Sequence, residues 1–427
     1  MRKVALMIGI LFVFSYIKAS EFDFDGKNIE KVSVGSMLEK TSVPEPVIEN
    51  KARPDKEWTF MVFVNGKNNL EQFAIKDINE MEMVGSSDKV NIVVEVGRIK
   101  GYDSSNGDWK TTRRYYVTKD NDTNIINSKM IADLGKVDMG DYKSVIDFVK
   151  WAKANYPAKK YMLVIWNHGA GWEKSLKANI TKGISYDDET GNHITTPQLG
   201  LIFKEAGKID VYGSDACLMQ MAEVVYEIKD SITYIVGSEE TEPGDGYTYN
   251  DLLAPLIANP TMGPAELAKT AVDAYSDHYK AQGEGSTQSY VRTSAIPDFL
   301  NAVNEFIYAV SQSGDKALVK NAISQAQEYA ISENKDLYHF TSIIVNGTKD
   351  AAVKEKGQAL MTLIKNKLVA HNRYTNGSGG WYGPTDYSNS NGISVYLPTS
   401  GIGSGYDELQ WAKYSNWDEF IKWYQAQ

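Results

Sequence analysis

From Trp58 onward, apolar residues recur in two alternating rhythms. "WTFMVFVNG" is a continuous apolar run of strand length, and "NNLEQFAIKDINEMEMVG" after it repeats its apolar positions at helical spacing. "KVNIVVEVG" predicts a second buried strand and "RRYYVTKD" a third with alternating polarity. "DYKSVIDFVKWAKANYP" is an amphipathic helix stopped by Pro157. Two further runs, "KKYMLVIWNHG" and "KIDVYGSDA", have the unbroken apolar character of strands covered on both faces. "CLMQMAEVVYEIKD" reads as a helix opening at Cys217, and "ITYIVGSEE" as another strand. Strands alternating with helices in this way predict an α/β fold with a mostly parallel central sheet.

Past Asn250 helical patterns dominate: "PAELAKTAVDAYSDHYKA", "PDFLNAVNEFIYAVSQS", "KALVKNAISQAQEYA" and "AAVKEKGQALMTLIKNKLVAH". The strands "QSYVRTSAI" and "NGISVYLP" fall among them, and "NWDEFIKWYQ" predicts a terminal helix with aromatic anchors. Glycine-rich loops separate these pieces. The resulting division is 1–19, 20–56, 57–250 for an α/β core, and 251–427 for a helix-rich region that completes the fold.

The first two segments have their own character. Arg2 and Lys3 precede the apolar run Val4 to Ile17, and Ala19 supplies a small residue at its end. That is the layout of a secretory signal peptide; the rival reading is an uncleaved membrane anchor, for which the run is short. No cysteine lies near it to accept a lipid. Residues 20–56 are polar, irregular and proline-bearing, as a linker or propeptide is. After signal removal no stable membrane contact is expected. A formal charge of −10 disfavours nucleic acid as a partner, since phosphates call for a basic surface.

Export bears on the one cysteine among 427 residues. Cys217 has no internal partner for a disulfide, so it is either a small buried hydrophobe or a reactive thiol. His168 ends the strand "YMLVIW", and Cys217 follows "IDVYG" by a few residues. Ligands and catalytic groups of parallel α/β sheets collect at the carboxyl ends of strands. If the two strands are neighbours, both side chains emerge at one sheet edge. At a helix start, the Cys217 thiol would gain from backbone N–H groups and the helix dipole. Gly169 would let a substrate backbone approach, and its N–H with that of Cys217 could stabilise an oxyanion. The other histidines, His193, His278, His339 and His371, show no metal-like spacing.

The pieces "NHGAGW", "SDACLMQMAEV" and "GSEETEPGDGYTY", with "NNLEQFAIKDINEM", "YVRTSAI", "GISVYLP" and "NWDEFIKWY", resemble the clostripain family of cysteine peptidases. That family shares a caspase-like three-layer α/β/α sandwich with gingipains and legumain. Tyr247 departs from the pattern, which has tryptophan after "EPGDG". The resemblance implies a dyad of His168 as acid–base and Cys217 as nucleophile, with protein or peptide substrates cut after a basic residue. Asp215 matches the family's pocket aspartate; a carboxylate there can pair with arginine or lysine. Its alternative role is to cap the following helix. Asp245 is a second acidic candidate, or a plain turn aspartate in "PGDGY".

Between the dyad members runs "EKSLKANITKGISYDDETGNHITTP", polar and lysine-bearing. The resemblance implies maturation by a cut in this interval, with Lys174, Lys177 and Lys182 available. Lys182 is favoured, because Gly183 after it should leave the backbone extended and accessible. The two fragments should stay associated, since the strands carrying the dyad remain in one sheet. No cofactor is expected. "SYDDETGN" could offer oxygens to calcium but reads better as a hairpin turn, without EF-hand spacing. Two other functions share these features: a catalytically silent surface binding protein, and a transpeptidase working through the same acyl-enzyme.

Overall fold

The computed structural model describes residues 56–172, 183–378 and 384–426; the candidate signal peptide and nearly all of the candidate linker lie outside them. The apolar run after Lys56 becomes the central strand β1 (Lys56–Gly66). Phe60, Val62 and Val64 point to one side of the sheet and Met61 and Phe63 to the other, and all five are fully buried. Alternation of side chains across a pleated strand, with both faces covered, is what makes the run apolar throughout.

Eight more strands join β1: β2 (Val90–Arg98), β3 (Thr112–Tyr116), β4 (Lys129–Asp133), β5 (Ala158–Trp166), β6 (Ile209–Asp215), β7 (Ile232–Gly237), β8 (Ser286–Arg292) and β9 (Val369–Thr375). Their order across the sheet is β9-β8-β7-β6-β5-β1-β2-β3-β4. The five central strands, β2, β1, β5, β6 and β7, run parallel. Both edges are antiparallel, β3 and β4 on one side and β8 and β9 on the other. The sheet is therefore parallel only at its centre. Residues beyond 250 supply two of its strands.

Helices cover both faces. On one side lie α1 (Glu71–Val84), α5 (Tyr249–Ala258) and α6 (Pro264–Gln282). On the other lie α2 (Tyr142–Asn155), α3 (Thr196–Ala206) and α4 (Ala222–Ile228), with the later helices from Ile296 onward. This is the three-layer sandwich expected. Local signals set the helix starts: Asp141 accepts from Lys143 N–H before α2, and Thr195 with Gln198 forms a reciprocal capping box before α3.

Cys217 does not open a helix. Residues 216–220 form a turn and an extended stretch, and α4 begins only at Ala222. Tertiary pairing overrides the helical pattern here. Leu218 N–H donates to Glu240 O and Gln220 N–H to Ser238 O, while Ser394 N–H donates to Gln220 O. Leu218 turns the chain at φ 63°, a left-handed conformation costly for a side chain.

Candidate active site

Strands β5 and β6 pair in parallel from Met162 opposite Val211 to Trp166 opposite Asp215. His168 and Cys217 each follow that last pair by two residues, so both leave the sheet at the same edge. Asn167 N–H donates to Asp215 O and continues the pairing by one step. The Asn167 side chain fastens the histidine's backbone further, donating to Asn65 O at the end of β1 and accepting Tyr186 N–H at 2.7 Å. His168 and Cys217 then line one cleft of about 680 Å³, together with Trp166, Asp215, Glu242 and Tyr387.

Gly169 is required by the protein's own chain. A Cβ on it would stand 2.4 Å from Cys217 O and 3.1 Å from Cys217 N. Without a side chain there, the loops that carry His168 and Cys217 touch backbone to backbone. Gly169 also bridges to Ile184, and the hydrogen bonds of that bridge run from Ala170 N–H to Gly183 O and from Ser185 N–H to His168 O. Gly169 N–H lies outside that pairing.

Burial pushes the Cys217 thiol up to about 12, the fields of Glu242 and Glu240 add to it, and Glu242 N–H donates to Sγ at 3.3 Å. Burial also holds the His168 imidazole below its usual range, against a weaker pull from Asp188. Both shifts favour the neutral form of each group. The helix dipole expected to favour a thiolate is absent, because the helix starts too late. His168 Nε2 meets Asn69 Oδ1 at 2.8 Å.

Behind the cleft lies a set of buried acids. Asp215 is 4% exposed, accepts Tyr247 N–H at 3.1 Å and the Tyr249 hydroxyl at 2.7 Å, and caps no helix. Burial raises it to about 6, opposed by those donors. Asp77 on α1 accepts from Trp166 Nε1 at 2.6 Å and is pushed well up, first by burial and then by Asp215. Glu242 is raised well above the carboxylate range by the same two causes. Asp77 Oδ1 and Glu242 Oε2 are buried and have no hydrogen-bond partner among the described residues.

The model of the Clostripain family matches residues 62–424. The chain belongs to the clostripain family. Clostripain of Hathewaya histolytica is 26% identical over 240 residues, covering 49% of this chain and 44% of that protein. The match thus spans less than half the length of that relative. A secreted C11 cysteine protease from Bacteroides thetaiotaomicron, solved with an irreversible peptide inhibitor, shares the fold at TM-score 0.65. It is 22% identical, over 85% of this chain and 99% of that one. An inactive zymogen C11 protease from Parabacteroides distasonis has TM-score 0.59 and 16% identity, over 84% and 97%.

Other candidate residues of this clostripain-family chain fall in different places. Asp245 lies on the loop after β7 but does not line the cleft; Lys76 Nζ holds it at 2.7 Å, and the pair keeps its carboxyl below the usual range despite partial burial. Tyr247, fully buried, packs on Gly213, and its hydroxyl lacks a partner among the described residues. Lys174, Lys177 and Lys182 lie outside the described residues. Gly183 does not: it is buried at φ 115°, donates to Gly171 O and accepts Ala170 N–H. It is pinned, contrary to the open backbone expected after Lys182.

"SYDDETGN" forms a hairpin of Ile184–Asp187 with Asn192–Ile194. Asp187 accepts from Met139, Glu189 and Thr190 N–H and pairs with Lys67, so its oxygens are committed to the turn. No group of three or more His, Cys, Asp or Glu among the described residues could hold a metal ion. No described helix is long and apolar enough to cross a membrane. Sequence reasoning missed Asn69, Asp77 and Glu242. All three lie inside stretches that carry the family resemblance, but only the sheet edge brings them together.

Proposed function

We propose that this protein is an exported cysteine endopeptidase that cuts peptide chains after arginine or lysine. Cys217 is the nucleophile and His168 the acid–base. One observation carries the reading: the dyad shares its cleft with buried carboxyl groups that lack a cationic partner among the described residues. A buried acid without a counter-charge is costly, and an entering guanidinium or ammonium group relieves that cost.

Chemistry proceeds from a neutral pair. His168 takes the thiol proton as Cys217 Sγ attacks the scissile carbonyl, so thiolate forms only in the reaction. The N–H groups of Gly169 and Cys217 hold the developing oxyanion. His168 then gives its proton to the leaving amine, and an acyl-enzyme remains on Sγ for water to hydrolyse. Maturation is a cut by the protein's own dyad between Trp172 and Gly183, after Lys174, Lys177 or Lys182. The β5–β6 pairing holds the two fragments together.

The test is a series of fluorogenic peptides differing only at the residue before the cut. Turnover of arginine and lysine substrates, with citrulline and norleucine substrates at least a hundredfold slower, supports the reading. Equal rates across the series would remove it.

A further inference from the structure

Asp215 and Glu242 both line the cleft, close enough for each to act on the other's charge. Asp215 already accepts from a backbone N–H and a tyrosine hydroxyl. Glu242 Oε1 accepts from Gln288 Nε2 at 3.4 Å, while Oε2 is buried with no partner among the described residues. Part of Glu242 faces the cleft, but that oxygen is out of reach of water. Two ionised carboxylates side by side repel, and neither has a salt-bridge cation among the described residues, so the pair is eased by a proton on one of them. The donors on Asp215 favour its charged form, which leaves the proton on Glu242.

We propose that the Asp215–Glu242 pair holds one proton while the cleft is empty and releases it to solvent when a basic side chain enters. Glu242 is thereby a second specificity-determining acid, and substrate binding is coupled to proton release. The proposal rests on the reading of the cleft as a basic-residue pocket.

The surroundings supply no other compensation. Tyr247, Tyr249, Tyr275 and Tyr279 face the pair and are pushed far above their usual range, chiefly by burial, so they stay neutral. The Cys217 thiol is neutral for the same reason. Asp77 adds a third buried acid, also raised. Lys76 acts on Asp77 from α1, but its ammonium is bound by Asp245. A proton and a ligand cation are therefore alternatives: each offsets the same negative charge, and the second displaces the first.

The experiment compares benzamidine with its uncharged isostere benzamide, by calorimetry on the full-length protein from pH 5.5 to 8.5. Near pH 6 the benzamidine affinity should rise about tenfold per pH unit relative to benzamide, as release of one proton requires. Repeating the titration in two buffers of different ionisation enthalpy should count about one proton, and Glu242→Gln should flatten the pH dependence. Tighter benzamidine binding with neither pH nor buffer dependence overturns the proton coupling and leaves the basic pocket standing. Equal affinity for the two ligands overturns the pocket reading itself. The wild-type comparison decides both points even if Glu242→Gln does not fold.

Discussion

His168 Nε2 lies 2.8 Å from Asn69 Oδ1, on the turn between β1 and α1. An amide oxygen only accepts, so the imidazole donates from Nε2 and keeps Nδ1 as its basic nitrogen. Asn69→Ala should lower kcat about fivefold to tenfold with little change in KM, in line with a net hydrogen-bond value of about 1 kcal/mol. Asn69→Asp should move the acidic limb of the pH–rate profile upward, because a carboxylate favours imidazolium. Steady-state kinetics over pH checks both; a structural role alone would leave the pH limb unmoved.

Gly169→Ala places a methyl group 2.4 Å from Cys217 O, well inside contact distance. The two loops must separate, at about 1–3 kcal/mol of stability for an overpacked site. A shift of about 1 Å between catalytic groups costs on the order of a hundredfold in rate. Thermal melts alongside kcat should show the rate falling much further than the stability.

Stability should fall from mildly acidic to alkaline pH. Glu223 is buried, accepts Tyr396 N–H and the Tyr406 hydroxyl, and is raised by burial from 4.5 to about 7. The folded state thus keeps a proton that the unfolded chain gives up. The stabilisation is complete below about 4.5 and lost as pH rises through 7, at most roughly 3 kcal/mol. Asp336, raised to about 6 chiefly by burial, acts in the same sense. Melting temperature should decline from pH 5 to 8.5, with a shallower decline in Glu223→Gln.

Maturation offers a further check. Gly171 and Gly183 are hydrogen-bonded on either side of the candidate cleavage interval, so its ends stay together whether or not it is cut. Cleavage after Lys182 must first pull Gly183 out of two hydrogen bonds. Mass spectrometry of purified protein should find cuts after Lys174 or Lys177 ahead of Lys182, with the fragments co-migrating in native sizing. Cys217→Ala should remain a single chain.

The sheet was legible because strands β1, β2, β5, β6 and β7 are covered on both faces and so carry unbroken apolar runs. His168 and Cys217 could be read because they follow two such runs. Strand β9 was hidden: its polar "HNRYT" lies on a half-exposed edge, and its first residues, Val369 and Ala370, continued a helical pattern that in fact ends, after a π-helical segment, at Leu368. The strand β4 and the helix Leu337–Gly347 were missed as well. The helix expected at Cys217 failed because residues 217–221 pair with segments far along the chain. Asn69, Asp77 and Glu242 sit on three separate elements, and no spacing along the sequence signals their approach.

Covalent labelling tests nucleophile and specificity at once. Wild-type protein is treated with a peptidyl acyloxymethyl ketone ending in arginine, or with the same reagent ending in citrulline, and the adduct is located by peptide mass mapping. Rapid modification of Cys217 by the arginine reagent, with the citrulline reagent far slower, is the expected result. No adduct at Cys217, or equal labelling by both reagents, would contradict a basic-residue cysteine peptidase and favour a silent binding protein or a different pocket.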